Sequence, residues 1–573
     1  MTTIAERRAI GASLDRRDGP QKVTGTAPYA YEHRFDNPLY LYPVQSDIAR
    51  GKVTRIDATD AEALPGVVAV LTHRNAPRLT DTSDRELAVL QAEEIAFRGQ
   101  YVAAVIADTL EAARYAASLV RVSYDEELHD VELRADRQDL YAPEHVNAGY
   151  PTDTEEGDFD RTFSSAAVKL DETYSTPMEH NNPMEPHTTV ALWEAGDLTL
   201  YESTQGSHWV RGTVAQVLGL DPNRVRVIAP HVGGGFGSKT VHANTIVAAL
   251  AAQAVQGRPV KFALTRQQMF SGVGYRPPTI QRIRLGAGPD GRLTATCHDV
   301  IAQSAKLKEY AEQAAVPTRT MYATRSRRTT HRVAPLDVPV PSWMRAPGEA
   351  PGMFALESAM DEIAGRCGLD PVEFRIRNEP DIDAETGLPY SSRNLIACLH
   401  EGSRRFGWSD RPAHPRGRQE GRWHVGTGVA SSTFPVIRLP GSVARISYAD
   451  DGRYLVEIAA ADIGTGTWTA LTQIAADALG TGVDKIDLRI GDTALPEATV
   501  AGGSSGITSW GTAIFAAARV FRDQHGHSPI AGDQAQAAAP ENPEAENYAM
   551  HAFGACFAEA RVDADTGKCV SRA

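Results

Sequence analysis

Four glycines fall within five residues at Gly233, Gly234, Gly235 and Gly237, interrupted by Phe236 and followed by Ser238 and Lys239. Glycine lets a backbone approach an anion closely, and the free N–H groups at a helix start point at it. The apolar run Val225 to Ile228 reads as a buried strand before the loop, and the alanine-rich run Ala243 to Ala254 as a helix after it. Strand, loop and helix together could hold a phosphate; taken alone, the loop is equally a plain tight turn. Spacing excludes two known phosphate loops. The nucleotide P-loop needs Gly-Lys-Ser/Thr, whereas Ser238 separates Gly237 from Lys239. The dinucleotide fingerprint opens a domain and is followed about twenty residues on by an acid, which Gln253 to Arg258 do not offer. The loop-then-helix logic recurs at Gly464-Thr465-Gly466 and at Gly503-Ser504-Ser505-Gly506. Three such loops suit a large, elongated, multiply anionic ligand better than one phosphate. Arg345, in MRAPGE, offers five fixed donors for a phosphate or an oxyanion, or else a surface salt bridge. Arg438, in FPVIRLPGS, sits at an apolar strand end and needs a partner or a cavity. The pairs His180/His187 and His208/His231 form no tetrahedral ligand set, and no protein-held metal is expected.

A chain of 573 residues must place these groups on roughly two to four domains. Divisions are expected at 1–145, 146–390 and 391–573, all of mixed α+β class. In the first, strands are expected at Leu39–Ser46, Val67–Leu71, Gln100–Ala107 and Val120–Tyr124, with helices at Ala58–Ala63 and Leu110–Ser118. Residues 1–12 read as a loose tail, Val23 to Tyr31 as an extended arm and the acidic Asp153 to Asp160 as a linker. In the second, strands are expected at Ala191–Trp193, Thr199–Glu202 and Val260–Leu264, a turn at Thr265–Met269, and a helix at Leu356–Arg366. In the third, Ala444–Ser447, Tyr454–Ala459, Lys485–Ile490 and Ala552–Val562 read as strands, and Ala470–Leu479 and Thr512–Val520 as helices. Arg522 to Asn547, rich in Ala, Gln, Pro and Glu, has no periodicity and reads as a disordered or surface linker.

Composition removes several classes. Hydrophobic content of 42% and charge of 23% describe an ordinary globular protein, and a net charge of −14 argues against a nucleic-acid surface. No run approaches the length of a membrane span, and Arg7-Arg8 is not followed by the apolar stretch of a signal peptide. The five cysteines are scattered and odd in number, so reduced, buried thiols of a cytoplasmic protein are expected, with no iron–sulfur ligand set.

HVGGGFGSK, preceded by STQGSHWVR (Ser203 to Arg211) and followed by WMRAPGEAPGMFALESAMDEIA (Trp343 to Ala364), resembles the molybdenum-binding large subunit of the xanthine oxidase and aldehyde oxidase family, most closely its bacterial aldehyde oxidoreductase branch. The resemblance extends from about residue 13 to the end, with the motifs in the family's order, and KVTG with FRGQYVAAVIADTLEAARYAA looks like the family's N-terminal hammerhead domain. It implies two elongated molybdopterin-binding domains after the hammerhead. The implied ligand is molybdopterin cytosine dinucleotide, whose dithiolene holds the molybdenum, and the implied reaction is oxidation of an aldehyde to a carboxylic acid by water-derived hydroxylation. Electrons would leave through partner subunits carrying [2Fe–2S] and FAD. By resemblance Gln205 hydrogen-bonds an oxygen on molybdenum, Arg345 lies beside the metal centre and Arg438 lines the substrate funnel. Gly233, Gly234, Gly235, Phe236, Gly237, Lys239, Gly464, Thr465, Gly466, Gly503, Ser504, Ser505 and Gly506 are expected to bind the cofactor. Thr465 and Gln268 stand where purine-oxidising relatives carry a glutamine and a glutamate, which favours aldehydes; no VxxRCS-like stretch of the carbon monoxide dehydrogenases occurs.

One departure concerns the general base. The family carries a glutamate in a Gly-Glu-Pro-like motif well beyond the Asp563–Gly567 hairpin, and no glutamate here has that context; Glu349 belongs instead to the Arg345 loop. The second molybdopterin-binding domain is therefore expected to be incomplete and the chain inactive as it stands. The alternative to an enzyme subunit is a non-catalytic remnant of the family.

Overall fold

The structure, a computed structural model, describes residues 9–412 and 417–572. Its largest sheet has seven strands in the order Val225–Ile228, Asp197–Glu202, Thr188–Glu194, Val260–Ala263, Leu39–Gln45, Tyr101–Ala107 and Val67–Thr72. The first and second regions thus share one sheet, joined where Leu39 pairs in parallel with Val260 and Tyr40 with Lys261. The division expected at residue 145 does not separate two sheets. Tyr101–Ala107 is buried at every position, as a central strand covered on both faces must be. Helix Ala243–Val255 lies against this sheet and is buried all round from Asn244 to Ala252. Its near-absence of a polar face is the mark of a helix inside a core.

A second layer begins with a five-stranded sheet ordered Val168–Thr176, Thr279–Ala287, Leu293–Ala305, Ser326–Leu336 and Thr154–Glu156. Helix Glu349–Arg366 is packed between this sheet and a four-stranded one in which Trp423–Pro435 pairs antiparallel with His551–Asp563. Leu356, Ala359, Met360 and Ile363 fill the core between them. In the third region, helices Thr467–Leu479 and Gly506–His525 cover a four-stranded sheet ordered Ile486–Arg489, Tyr454–Glu457, Val443–Tyr448 and Gln534–Ala538. No helix among the described residues is long and apolar enough to cross a membrane.

Several sequence expectations give way here. The helix expected from Leu356 starts at Glu349, because Pro351 is tolerated in a first turn. The turn at Thr265–Met269 is a helix, Arg266–Gly272, closed by a capping box between Thr265 and Gln268. The Gln268 side chain is used in that cap. Thr154–Glu156 of the expected acidic linker is a strand, and Asp158 caps the next helix. Its acids answer a row of arginines, with Glu156 on Arg327, Asp160 on Arg328 and Asp153 on Arg332. The expected linker Arg522–Asn547 holds the helix end and strand Gln534–Ala538; Ala535 is buried between exposed glutamines, a methyl-sized signal that composition hides. Residues 1–8 of the expected tail lie outside the described residues, but Ala9 and Ile10 donate their N–H groups to Asp477 at 2.9 Å, and Ala9 is buried. The expected arm Val23–Tyr31 follows the short helix Gly19–Val23, sharing only Val23 with it, and ends in the 3₁₀ turn Ala30–Glu32. Of the cysteines only Cys297 is buried; Cys398, Cys556 and Cys569 are exposed thiols.

Candidate functional site

Gln205 follows strand Asp197–Glu202 and precedes helix Ser207–Leu218, and its side chain is buried. Its Oε1 accepts the N–H groups of Gly237 at 2.9 Å and Lys239 at 3.3 Å. Its Nε2 donates to the carbonyl of Ala501 at 2.7 Å, and its own carbonyl accepts the Ala501 N–H. One residue therefore bolts the first glycine loop to the third. The second loop is fixed to the first through the Val232 N–H, which donates to the Asp462 carbonyl, and the Trp468 indole, which donates to the Pro230 carbonyl.

Each loop presents a run of backbone N–H groups with no acceptor among the described residues. They are Gly234, Gly235 and Phe236 in the first, Thr465, Gly466 and Thr467 in the second, and Gly502, Gly503 and Ser504 in the third. The second and third runs lead directly into helices Thr467–Leu479 and Gly506–His525, whose N-termini carry partial positive charge. Phe236, Thr465 and Ser504 are exposed and the other six residues buried or half-buried; N–H groups away from water rarely stay unpaired, so the surface fits a polyanion. Crowding fits as well: a Cβ on Gly235 would overlap the Gln205 amide, and one on Gly237 would stand 2.5 Å from the Trp343 carbonyl. Phe236 (φ 57°), Ser504 (φ 55°) and Ala346 (φ 58°) hold left-handed backbone without being glycine. Strain of this kind, about 1–3 kcal/mol each, gathers at functional loops.

The underside of the first loop is sealed by charge. Glu185 takes the Gly233 N–H at 2.7 Å and the Lys239 ammonium at 2.6 Å, while its own N–H donates to the Gly233 carbonyl. Lys239, expected to contact the cofactor, is wholly buried with its ammonium on this carboxylate. Burial lowers its pKa and the Glu185 charge opposes that. Gly233 likewise has its N–H on Glu185 and no longer offers it outward. Nearby Glu202 is buried with Oε2 unpartnered, and burial pushes its carboxyl up to about 8 despite hydrogen bonds from Thr189 and Thr245. His187 donates to or accepts from nothing at Nδ1, and its Nε2 meets the Ser238 carbonyl at 2.9 Å.

The Arg345 loop lies against the first. The Arg345 N–H donates to the Phe236 carbonyl at 2.8 Å, and the Asn181 amide donates to the carbonyls of Phe236 (2.8 Å) and Trp343 (3.1 Å). The Arg345 side chain is exposed and has no ion-pair or hydrogen-bond partner among the described residues. Arg438 stands beside the third loop. A Cβ on Gly503 would crowd its neighbour Ile437, Leu439 donates to Ser509, and Arg438 Nη2 is buried without a partner. The four histidines of the sequence pairs go to separate tasks; His180 lies against Phe270 and Tyr275, and His231 against Tyr29 and Trp468.

Sequence reasoning missed Glu185, Asn181 and Arg276, which grip the two loops. The only signal for Glu185 and Asn181 was a dense polar stretch, Glu179 to His187, between strand patterns, and Arg276, in the short strand Tyr275–Arg276, had none. The second loop also has a support that was not foreseen: Arg16 donates to the Gly464 carbonyl at 2.9 Å, and Arg16 and Lys22 flank the buried carboxylates of Asp18 and Asp462.

Residues 24–128 match the aldehyde oxidase and xanthine dehydrogenase a/b hammerhead domain, and residues 141–379 and 401–532 match two molybdopterin cofactor-binding domains. The chain is 40% identical over 528 residues to the aldehyde oxidoreductase molybdenum-binding subunit PaoC of Escherichia coli O157:H7, covering 91% of this chain and 71% of that protein. It is 30% identical over 502 residues to the putative xanthine dehydrogenase molybdenum-binding subunit XdhA of Escherichia coli K12, covering 82% and 66%. Among solved structures, CO dehydrogenase from Oligotropha carboxidovorans superposes with a TM-score of 0.85 at 23% identity, over 99% of this chain and 82% of that one. Aldehyde oxidoreductase from Desulfovibrio desulfuricans gives 0.85 at 23%, over 99% and 68%. At that identity the likeness is one of fold.

Proposed function

From the premise that this chain belongs to the xanthine and aldehyde oxidase family of molybdopterin-binding proteins, we propose that it is the molybdenum-binding subunit of an enzyme oxidising aldehydes to carboxylic acids. The observation that carries the reading is the triple run of unpaired N–H groups, brought together by Gln205. We assign that surface to molybdopterin cytosine dinucleotide. When bound, the cofactor supplies the two-electron redox chemistry that adds a water-derived oxygen to the substrate.

The residues divide the remaining work. The backbone of Gly234, Gly235 and Phe236 donates hydrogen bonds toward the cofactor, as does that of Thr465, Gly466, Gly503 and Ser504, with Ser505 and Gly506 opening the third helix. Gln205 orients two loops and keeps one Nε2 proton without an acceptor for the ligand side. Arg345 brings an unpaired guanidinium to the edge of the first loop, suited to a phosphate or a developing oxyanion. Arg438, with its orphaned Nη2, is assigned to the substrate side. Lys239 serves as a clamp from beneath through Glu185. The aldehyde preference rests on the relatives named for that activity and on Thr465 and Gln268. Partner subunits carrying iron–sulfur and FAD centres take the electrons, a reading supported by the relatives named as molybdenum-binding subunits.

The test is analysis of protein purified with its maturation factors and partner subunits. One molybdenum and one cytosine nucleotide per chain are expected; absence of both would overturn the assignment. With cofactor loaded, faster turnover of xanthine than of benzaldehyde would overturn the substrate class.

A further inference from the structure

The turn that ends the first glycine loop is gripped by two imidazoles. The buried Ser238 carbonyl faces His187 Nε2 at 2.9 Å and His242 Nε2 at 2.8 Å. A carbonyl can only accept, so both of these nitrogens carry protons. The Thr240 hydroxyl, 3.2 Å from His242 Nε2, shares the second of them. The rings differ at their other nitrogens. His187 Nδ1 is buried with no partner, which suits a neutral ring; burial, with the charge of Lys239, holds this imidazole well below its usual range. His242 Nδ1 instead lies 2.8 Å from Glu86 Oε1.

One proton must sit on that line, on the ring or on the acid. The Lys308 ammonium stands 3.1 Å from Glu86 Oε2 and 2.8 Å from Asp84, which favours the ionised acid. Burial alone would raise the Glu86 carboxyl; the hydrogen bond and charge of His242, together with Lys308, bring it below its usual range. The proton then belongs to the ring. His242 is also the N-cap of helix Ala243–Val255, whose terminus opposes a cation with about half a charge. A whole carboxylate charge at 2.8 Å outweighs that.

The peptide between Ser238 and Lys239 carries the effect onward. Its carbonyl takes the imidazole protons, and its N–H, that of Lys239, donates to Gln205 Oε1 at 3.3 Å. Hydrogen bonds in series polarise one another, and a charged donor at one end strengthens each donor after it. We infer that Glu86 holds His242 as an imidazolium, and that His242 is a positioning residue for Gln205, acting through the 238–239 peptide to strengthen the Gln205 Nε2 proton left for the ligand. The inference rests on the reading of Gln205 as a cofactor contact.

Nuclear magnetic resonance of protein labelled with ¹⁵N in its histidine rings and glutamine side chains reads both ends of the series. His242→Gln and Gln205→Leu assign the signals. In the wild-type protein at neutral pH, His242 is expected to show protons on both nitrogens and His187 on Nε2 alone. Glu86→Gln keeps the shape and removes the charge; it should leave His242 neutral and move the Gln205 side-chain protons upfield. In cofactor-loaded protein it should also weaken retention of molybdenum and nucleotide about three- to tenfold, with no further loss when added to Gln205→Leu. A packing role alone would make the two losses add. His242→Gln, a neutral donor to the same carbonyl, replaces Glu86→Gln should that variant fail to fold. A bare Nδ1 on wild-type His242, an unmoved Gln205 signal in the variant, or additive losses would each overturn the inference. The two readings fail separately. Protein lacking molybdenum and nucleotide but showing the imidazolium and the Gln205 shift would sink the cofactor assignment alone; loaded protein with a neutral His242 would sink this one alone.

Discussion

The first and second glycine loops look alike in sequence, each a glycine turn before a helix, and each leaves three successive N–H groups open. Their surroundings differ. Gly235 and Gly237 are walled in by Gln205 and Trp343, so their missing side chains are required by close approach. Gly464 has nothing within 4 Å of where a Cβ would sit, and only its φ of 96° asks for glycine. Beneath the first loop lies a sealed cluster, Glu185, Lys239 and Glu202; the second is supported by an N-terminal arm in which Arg16 is 43% exposed. Similar strings can thus mark a rigid cradle in one place and a strapped, yielding rim in another.

The comparison is broken most directly by adding one methyl to each loop. Gly235→Ala must displace a Gln205 side chain held by three hydrogen bonds, and molybdenum and nucleotide content should fall at least about tenfold, the loss equivalent to roughly 1.4 kcal/mol. Gly464→Ala meets no wall and should cost about 1–2 kcal/mol of stability from its backbone conformation while most of the cofactor is retained. Equal cofactor loss in the two variants would erase the distinction.

In stability, the largest effect belongs to the ion pair. Lys239→Met leaves the Glu185 carboxylate buried with the Gly233 N–H as its remaining donor, and a cost of about 3–5 kcal/mol is expected. Adding Glu185→Gln should return most of it, since the charge and its partner then leave together. A double variant no more stable than the single one, by denaturant unfolding, would show that the pair does not act as a clamp.

How much of this was legible in the chain follows from range. Strand Val225–Ile228 and helix Ala243–Val255 appear as expected because apolar runs and alanine content are local signals. The continuous seven-stranded sheet does not, since Leu39 meets Val260 across a separation that no periodicity records. The loops at Gly233, Gly464 and Gly503 were visible as composition, and their gathering through Gln205 was not. The ion pair of Lys239 was hidden for the same reason: its partner Glu185 lies 54 residues away in an irregular polar stretch. The expected roles of Gln205, Arg345 and Arg438 came from resemblance, and the structure adds their surroundings: a fully engaged amide carbonyl, an unpaired guanidinium and an orphaned Nη2.

The sealed underside of the first loop should also carry a pH signature. Glu202 is raised from the usual carboxylate range to about 8 by burial. The folded state then binds a proton that the unfolded chain has released, so stability falls as pH rises between roughly 4.5 and 8, by at most about 1.4 kcal/mol per unit. Between pH 6 and 8, Glu202→Gln should remove about 2–3 kcal/mol of that decline. Unfolding curves at the two pH values measure it, and an unchanged slope in the variant would mean that Glu202 is already ionised in the fold.

The smallest effect belongs to the strap. Arg16 donates to the Gly464 carbonyl and pairs with Asp18 at 2.7 Å and Asp462 at 3.7 Å. Its side chain is 43% exposed, so water and salt screen those attractions. Lys22, at 2.5 Å from Asp18, remains to neutralise the buried acids when Arg16 is removed. Arg16→Ala should therefore cost no more than about 0.5–1 kcal/mol, and wild type should lose much of that margin in high salt. The helix behind the loop keeps its own cap, because Asp462 still accepts the N–H groups of Gly464 at 2.7 Å and Trp468 at 3.4 Å. Cofactor content should stay near the wild-type value, and limited proteolysis near the N-terminal arm should be the first change seen. If Arg16→Ala instead strips the cofactor as thoroughly as Gly235→Ala, the second loop is no yielding rim, and the arm that holds it belongs to the cradle.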